Sequence, residues 1–192
     1  MKARFFGVAF LALCLSGCAL EGPQPSTGFM PQDAFGNSVI GQDPAMATFN
    51  QALFAFAHID MMQNRPAQMA LAVASLDAMA GQFSTGGRWW TMDPIAKMQM
   101  LQARTRVRAI LGIPEAAPSQ AVIDQLVSAS KALDAGDQDA ALRALSGGVF
   151  TQPAPQTLAL LTHFPAVPIA NHATVAASQD LYPMGGGSKG MR

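Results

Sequence analysis

The stretch PAQMALAVASLDAMAGQF, residues 66–83, decides the fold of this 192-residue chain. Its larger apolar side chains recur at alternating steps of four and three residues, at Met69, Val73, Leu76, Ala80 and Phe83. This spacing places them along one side of an α-helix, as in helices that pack against another helix. We therefore expect a buried helix over residues 66–83.

Helical signals continue on both sides of this segment. An Asp-Pro pair at residues 43–44 and another at 93–94 each predict a cap followed by the first turn of a helix. The upstream helix carries an apolar stripe, and the downstream helix ends at Gly112. Further helices are expected from about residue 119, over 137–146, and near 156–162 and 170–179. Because no alternating β pattern of any length occurs, the sequence predicts an all-α fold, a small helical bundle of five to seven helices.

One segment adds a motif to this bundle. Residues 131–145, KALDAGDQDAALRAL, resemble the turn between the two helices of a tetratricopeptide hairpin. The resemblance implies two closely packed helices with Gly136 in the turn. No second copy lies at the 34-residue period of such repeats, so we expect one hairpin rather than an array.

The N-terminus predicts an address. Two cations, Lys2 and Arg4, precede an uncharged apolar run over residues 5–15, which is too short to remain as a membrane-spanning helix. The following Leu15-Ser16-Gly17-Cys18 resembles the lipobox of bacterial lipoproteins. The resemblance implies cleavage between Gly17 and Cys18, diacylglycerol on the Cys18 sulfur, and a further acyl chain such as palmitate on its amine. The alternative is an ordinary cleaved signal peptide.

These signals divide the chain. We expect a signal peptide over residues 1–17, a lipidated cysteine and flexible tether over 18–43, a helical domain over 44–182 and a disordered tail over 183–192. The product would be a lipid-anchored membrane protein facing the periplasm, with inner and outer membrane both open.

Residue types used in catalysis are scarce. The chain has three histidines, two glutamates and no known catalytic or phosphate-binding motif, so we expect no enzymatic activity and no cofactor. His58 and Met62, four residues apart, are a possible copper pair, but methionine in an Ala-rich helical chain is more simply explained as core filler. Asp60 continues the stripe of the first helix, and we expect it to meet solvent or cap a turn rather than pair with a buried arginine.

Two groups of residues are candidates for binding a partner. Arg88, Trp89 and Trp90 lie together in a Gly-rich loop, and exposed Trp and Arg are typical anchors of protein interfaces. The alternatives are a headgroup-level position and closure of one end of the core by one of the rings.

The second group is a basic ridge on the third helix. Lys97, Arg104 and Arg108 fall within about 40° of one another at 100° per residue. We expect a solvated ridge that is able to meet an acidic partner or anionic lipid. Removal of residues 1–17 would leave ten cations and twelve anions, a net charge of −2, which argues against nucleic acid as a partner.

These observations favour a non-catalytic accessory subunit that stabilises a larger periplasm-facing membrane enzyme and helps hold it at the membrane. In size, address and Ala- and Met-rich composition the chain resembles the small third subunit of the membrane-bound quinohaemoprotein alcohol dehydrogenases of acetic acid bacteria. That resemblance implies pyrroloquinoline quinone and haem c in partner subunits, ethanol oxidation with electrons passed to ubiquinone, and no cofactor here. The alternatives are an envelope scaffold or assembly lipoprotein that binds peptides through helical hairpins, and a small-ligand or copper carrier.

Overall fold

The computed structural model describes residues 25–182, which form an all-α bundle, as predicted. The predicted signal peptide, Cys18 and the predicted tail over 183–192 lie outside this range. Two 3-10 turns, Gly36–Val39 and Gly87–Trp89, accompany the helices. The α-helices of the described range are α1 Pro44–Ala57, α2 Ile59–Met62, α3 Pro66–Thr85, α4 Pro94–Ile110, α5 Ser119–Asp134, α6 Gln138–Leu145, α7 Ala154–Thr162 and α8 Pro168–Leu181.

Helix α3, which contains residues 66–83, is the central helix of the bundle. Every residue of α3 from Ala72 to Gly81 is buried, because α1, α4, α5 and α7 all pack on it. Its alanines let these neighbours approach closely, and the predicted apolar stripe from Met69 to Phe83 lies wholly in the core. Helix α8 forms an outer layer on α1 and α4.

Side-chain caps explain where several helices begin. The Asp43 carboxylate accepts a hydrogen bond from the backbone N–H of Ala45 at 2.9 Å, and Asp93 accepts one from Ile95 at 2.7 Å. Gly112, with φ of +65°, follows the end of α4, as glycine commonly does at this position. The predicted boundaries of α1 and α4 are thus confirmed at these caps.

Helices α5 and α6 pack together as the predicted hairpin. Gly136 takes φ of +74° in the turn, and the neighbouring Asp137 carboxylate accepts from Ala140 N at 2.8 Å to start α6. Within residues 25–182 no helix is both long and apolar enough to cross a bilayer.

The structure corrects the extent of the predicted tether. Residues 25–31, which we name the N-terminal strap, lie against α3 and α5 instead of standing free of the domain. The strap has no regular secondary structure of its own, but side chains of the bundle bind its backbone polar groups. The helical domain therefore includes chain that precedes residue 44.

Candidate functional site

The predicted basic ridge on α4 is wrong for Arg108, which is one of the largest fully buried side chains among the described residues. Arg108 and Asp77 of α3 are each only 2% exposed and form a two-pronged ion pair, with Nε to Oδ2 at 2.6 Å and Nη2 to Oδ1 at 2.8 Å. A charge at this depth requires a partner, and Asp77 supplies it. Arg108 is therefore a structural residue and cannot meet a partner at the surface.

All five N–H groups of Arg108 have acceptors. Besides the two that Asp77 accepts, Nη1 donates to the carbonyl oxygens of Glu115 and Ala117, both at 2.9 Å, and Nη2 donates to Ser119 Oγ at 3.0 Å. The guanidinium thus joins α3 to the loop between α4 and α5 and to the first residue of α5. Such complete satisfaction is what makes a buried arginine tolerable.

Ser119 extends this network to the N-terminal strap. Its hydroxyl donates to the carbonyl oxygen of Ser26 at 3.0 Å, and its backbone N–H donates to Ser26 Oγ at 2.9 Å. Arg104, the second member of the predicted ridge, is half-buried and donates from Nη1 to the same Ser26 oxygen at 2.7 Å. Burial lowers the pKa of the Arg104 guanidinium, and the nearby Asp77 opposes that shift. Arg104 therefore holds the strap rather than a partner.

Two glutamines hold the next part of the strap. Gln82 Nε2 donates to the carbonyl oxygen of Gly28 at 3.0 Å, while Gln120 accepts from Phe29 N at 2.9 Å and donates to Phe29 O at 3.1 Å. Despite this firm backbone attachment, the Phe29 side chain is 64% exposed. The strap therefore presents an aromatic ring to the exterior from a fixed position.

Glycines make room for this attachment. A Cβ on Gly81 would lie 2.7 Å from Ser26 O, and a Cβ on Gly28 would lie 2.6 Å from Ile123 Cδ1 and 2.9 Å from Gln120 N. All three distances are shorter than real Cβ atoms show, so glycine at these two positions permits the close approach of strap and bundle.

The predicted loop of Arg88, Trp89 and Trp90 divides into two parts. Trp89 is 8% exposed and packs edge-on against Phe83, with ring centroids 5.0 Å apart, so it closes one end of the core. The Arg88 guanidinium lies 4.5 Å above the Trp89 ring and forms an ion pair with Asp43. The hydrogen bond from Arg88 lowers the pKa of the Asp43 carboxyl. Trp90 is 78% exposed, and the Arg88 side chain is also exposed although it is paired with Asp43.

Trp90 precedes an exposed apolar face on α4, which the sequence analysis missed. Ile95 is 58% and Met98 51% exposed, and Gln102, Thr105 and Ala109 continue the same line toward the end of the helix. We name Trp90 and these five residues the α4 face. Their steps of three and four repeat the spacing of the buried side of α4, so the signal was present in the sequence. It runs on the side of α4 opposite to Ala96, Met100, Ala103 and Val107, which pack in the core.

Lys97, the third member of the predicted basic ridge, is half-buried on α4. The proposed copper pair is not brought together at the surface, since Met62 is 2% exposed in the core whereas His58 is exposed and packs on Phe54 with ring centroids 5.0 Å apart. Asp60 is exposed, as expected. Among residues 25–182, no group of three or more His, Cys, Asp or Glu side chains is placed to hold a metal ion.

A groove of about 450 Å³ runs between the strap and the start of α1. Its walls are mainly apolar, and the two ionisable groups in them, Asp43 and Arg88, are paired with each other. The groove thus offers a surface for apolar contact, not a nucleophile held by a base.

Comparisons of the chain with models of protein families, with curated proteins and with solved structures found no match.

Proposed function

We propose that this chain is a lipid-anchored, non-catalytic accessory subunit that docks through the α4 face onto a larger protein of the bacterial envelope. The observation that carries the proposal is the exposure of Trp90, Ile95 and Met98 on and beside one rigid helix. Large apolar side chains grouped in this way on a small protein are typical of interaction sites. Tryptophan in particular contributes more binding free energy than most residues at interfaces.

The electrostatics agree with docking on a protein surface. Along the line of the α4 face from Ile95 to Ala109 every position is uncharged, and the ionised side chains that border it are Arg106 and Glu115. Burying such a face carries little cost for removing charges from water. The lipid on Cys18 would limit the search for a partner to the membrane surface, which raises the effective concentration of the two proteins.

The candidate partner is a quinohaemoprotein alcohol dehydrogenase. In that complex, other subunits would hold pyrroloquinoline quinone and haem c, and this chain would stabilise them at the membrane while ethanol is oxidised and ubiquinone reduced. The composition, the proposed periplasmic address and the α4 face support this assignment. The peptide-binding scaffold has less support because α5 and α6 pack into the same bundle as α3 and α7.

The test is co-purification from native membranes in mild detergent. The wild-type chain should recover a larger subunit in equal amount, with the absorption of a c-type haem, and Met98→Glu should lose it. Met61→Glu is the matched control, because Met61 is 51% exposed, as Met98 is, but lies on α2, which packs on α1 and α3, and it should retain the partner. Recovery of the wild-type chain as a lone monomer, or equal loss by both variants, would contradict the proposal.

The anchor has a separate test. Mass spectrometry of the N-terminal peptide should find diacylglycerol on Cys18 and no residue before it. Cys18→Ser should abolish this modification and move the protein from the membrane pellet to the supernatant. A Cys18→Ser protein that still sediments at the processed size would refute the anchor.

A further inference from the structure

We infer that the N-terminal strap orients the domain on the membrane, with the end that carries Ser26 and Phe29 against the phospholipid headgroups and the α2 end directed away. This inference rests on the proposed lipid anchor at Cys18. It adds a second interaction surface, whose partner is the bilayer itself.

Only a short stretch of chain separates the proposed anchor from the strap. Ser26 is fixed by Arg104 and by two hydrogen bonds from Ser119, so the tether ends one residue earlier, at Pro25. Six residues separate Cys18 from Pro25. Any stretch of this length spans at most about 25 Å when fully extended, and a flexible chain of the same length would have a root-mean-square span of about 15 Å.

The domain is longer than the typical span of this stretch of chain. Ser26 lies beside Gly81, near the C-terminal end of α3, whereas α2 immediately precedes the N-terminal end of α3. The 20 residues of α3 measure about 30 Å along the helix axis. A tether with a typical span of half that length keeps the Ser26 end near the bilayer. A tether reaching to residue 43 would have allowed any orientation.

This geometry places the Phe29 side chain nearest the membrane. Phe29 is held by both of its backbone hydrogen bonds to Gln120, yet its ring is 64% exposed and contributes little to the core. Aromatic rings gain free energy at the boundary between headgroups and hydrocarbon. Trp89 and Phe29 line the same groove. Trp90 directly follows Trp89 and therefore lies at the same end of the bundle. The α4 face would therefore begin at membrane level, so that its partner is met at the bilayer surface.

The test measures depth at two matched positions. After cleavage at residue 17 and acylation of Cys18 the chain would have no free thiol, so Phe29→Cys and Met61→Cys each provide one site for a fluorescent label. Both native side chains are exposed, at 64% and 51%, and both lie outside the core. The acylated proteins are reconstituted into vesicles of phosphatidylethanolamine and phosphatidylglycerol that contain a lipid with a nitroxide on its headgroup.

The label at position 29 should be quenched, and the quenching should be absent at position 61. A flexible insert of 20 Gly and Ser residues between Gln24 and Pro25 should remove the difference between the two positions while the protein remains bound to the vesicles. Equal quenching at both positions in the uninserted protein, or a difference that persists with the insert, would overturn the inference and leave the anchor intact. Failure of the acylated protein to sediment with vesicles would instead overturn the anchor, and the inference with it.

Discussion

Removal of the Arg108 side chain should be among the most destabilising single changes in this protein. Arg108→Met preserves length and apolar volume but leaves the Asp77 carboxylate buried without a counter-ion. It also leaves the carbonyl oxygens of Glu115 and Ala117 without those donors. Breaking a buried ion pair from one side costs about 3–5 kcal/mol, and domains of this size are stable by about 5–15 kcal/mol.

The double variant Asp77→Leu with Arg108→Met separates the charge from the other contacts. With both charges gone the orphaned carboxylate disappears, so the double variant should be more stable than Arg108→Met alone by about 3 kcal/mol. It should still fall short of the wild type, because the carbonyl oxygen of the buried Ala117 would lose its donor, and an unpaired buried carbonyl costs about 1–3 kcal/mol. Arg106→Met is the control, since Arg106 is exposed on the same helix, and its effect should stay within about 0.5 kcal/mol.

Urea unfolding followed by circular dichroism gives these free energies on the protein carrying Cys18→Ser, which avoids detergent. Trp89, packed on Phe83, provides a second signal from the core. If Arg108→Met loses less than about 1 kcal/mol, or the double variant is no more stable than the single one, the pair is not the buried, fully satisfied contact described here.

Two further predictions concern the strap and the start of α1. Gly81→Ala should make the strap more sensitive to chymotrypsin at Phe29, because the new Cβ would collide with Ser26 O. Gly87→Ala is the control, since its Cβ meets nothing within 4 Å and should not change the cleavage. Equal cleavage of the two variants would contradict the close approach of strap and bundle. Asp43→Ala should lose about 1 kcal/mol of stability with its cap, and Asp43→Asn, which can still cap, less. Since the pKa of Asp43 is lowered from 3.8, its ion pair with Arg88 stabilises the fold fully above that pH. The difference in stability between wild type and Asp43→Asn, measured by thermal unfolding, should therefore disappear as the pH falls from 3.8 through the lowered pKa of Asp43 in the folded protein.

Much of the fold could be predicted because local signals determine it. The Asp-Pro pairs at 43–44 and 93–94, the glycines at 112 and 136 and the spacing from Met69 to Phe83 all act within a few residues, and the structure confirms each of them. The break at His58, which separates α2 from α1, has no such local signal and was not predicted.

The buried ion pair could not be predicted in the same way. Asp60 continues the apolar stripe of α1 in the sequence, whereas Asp77 lies in a part of α3 that is buried on every side, so no polar side of the helix indicates a buried carboxylate there. The angular position of Arg108 beside Lys97 and Arg104 was read correctly. Its burial depends on the α4–α5 loop folding over it, and the spacing of residues along one helix carries no information about that loop.

The strap was missed because its composition is that of a linker. Pro25, Gly28 and Pro31 discourage helix and strand. The local hydrogen bonds, from Thr27 to Pro25 O and from Ala34 N to Pro31 O, do not attach the strap to the bundle. The groups that do so, on Gln82, Arg104, Ser119 and Gln120, follow 54 to 93 positions later.

That separation has a consequence for the order in which the protein is made. Ser26 leaves the ribosome early, but its contact Ser119 follows 93 residues behind, so the first part of the chain to emerge is among the last to find its place. In the proposed lipoprotein, exported N-terminus first, Ser26 could not bind Ser119 until α5 had crossed the membrane, so the strap would not restrict processing at Cys18 before then.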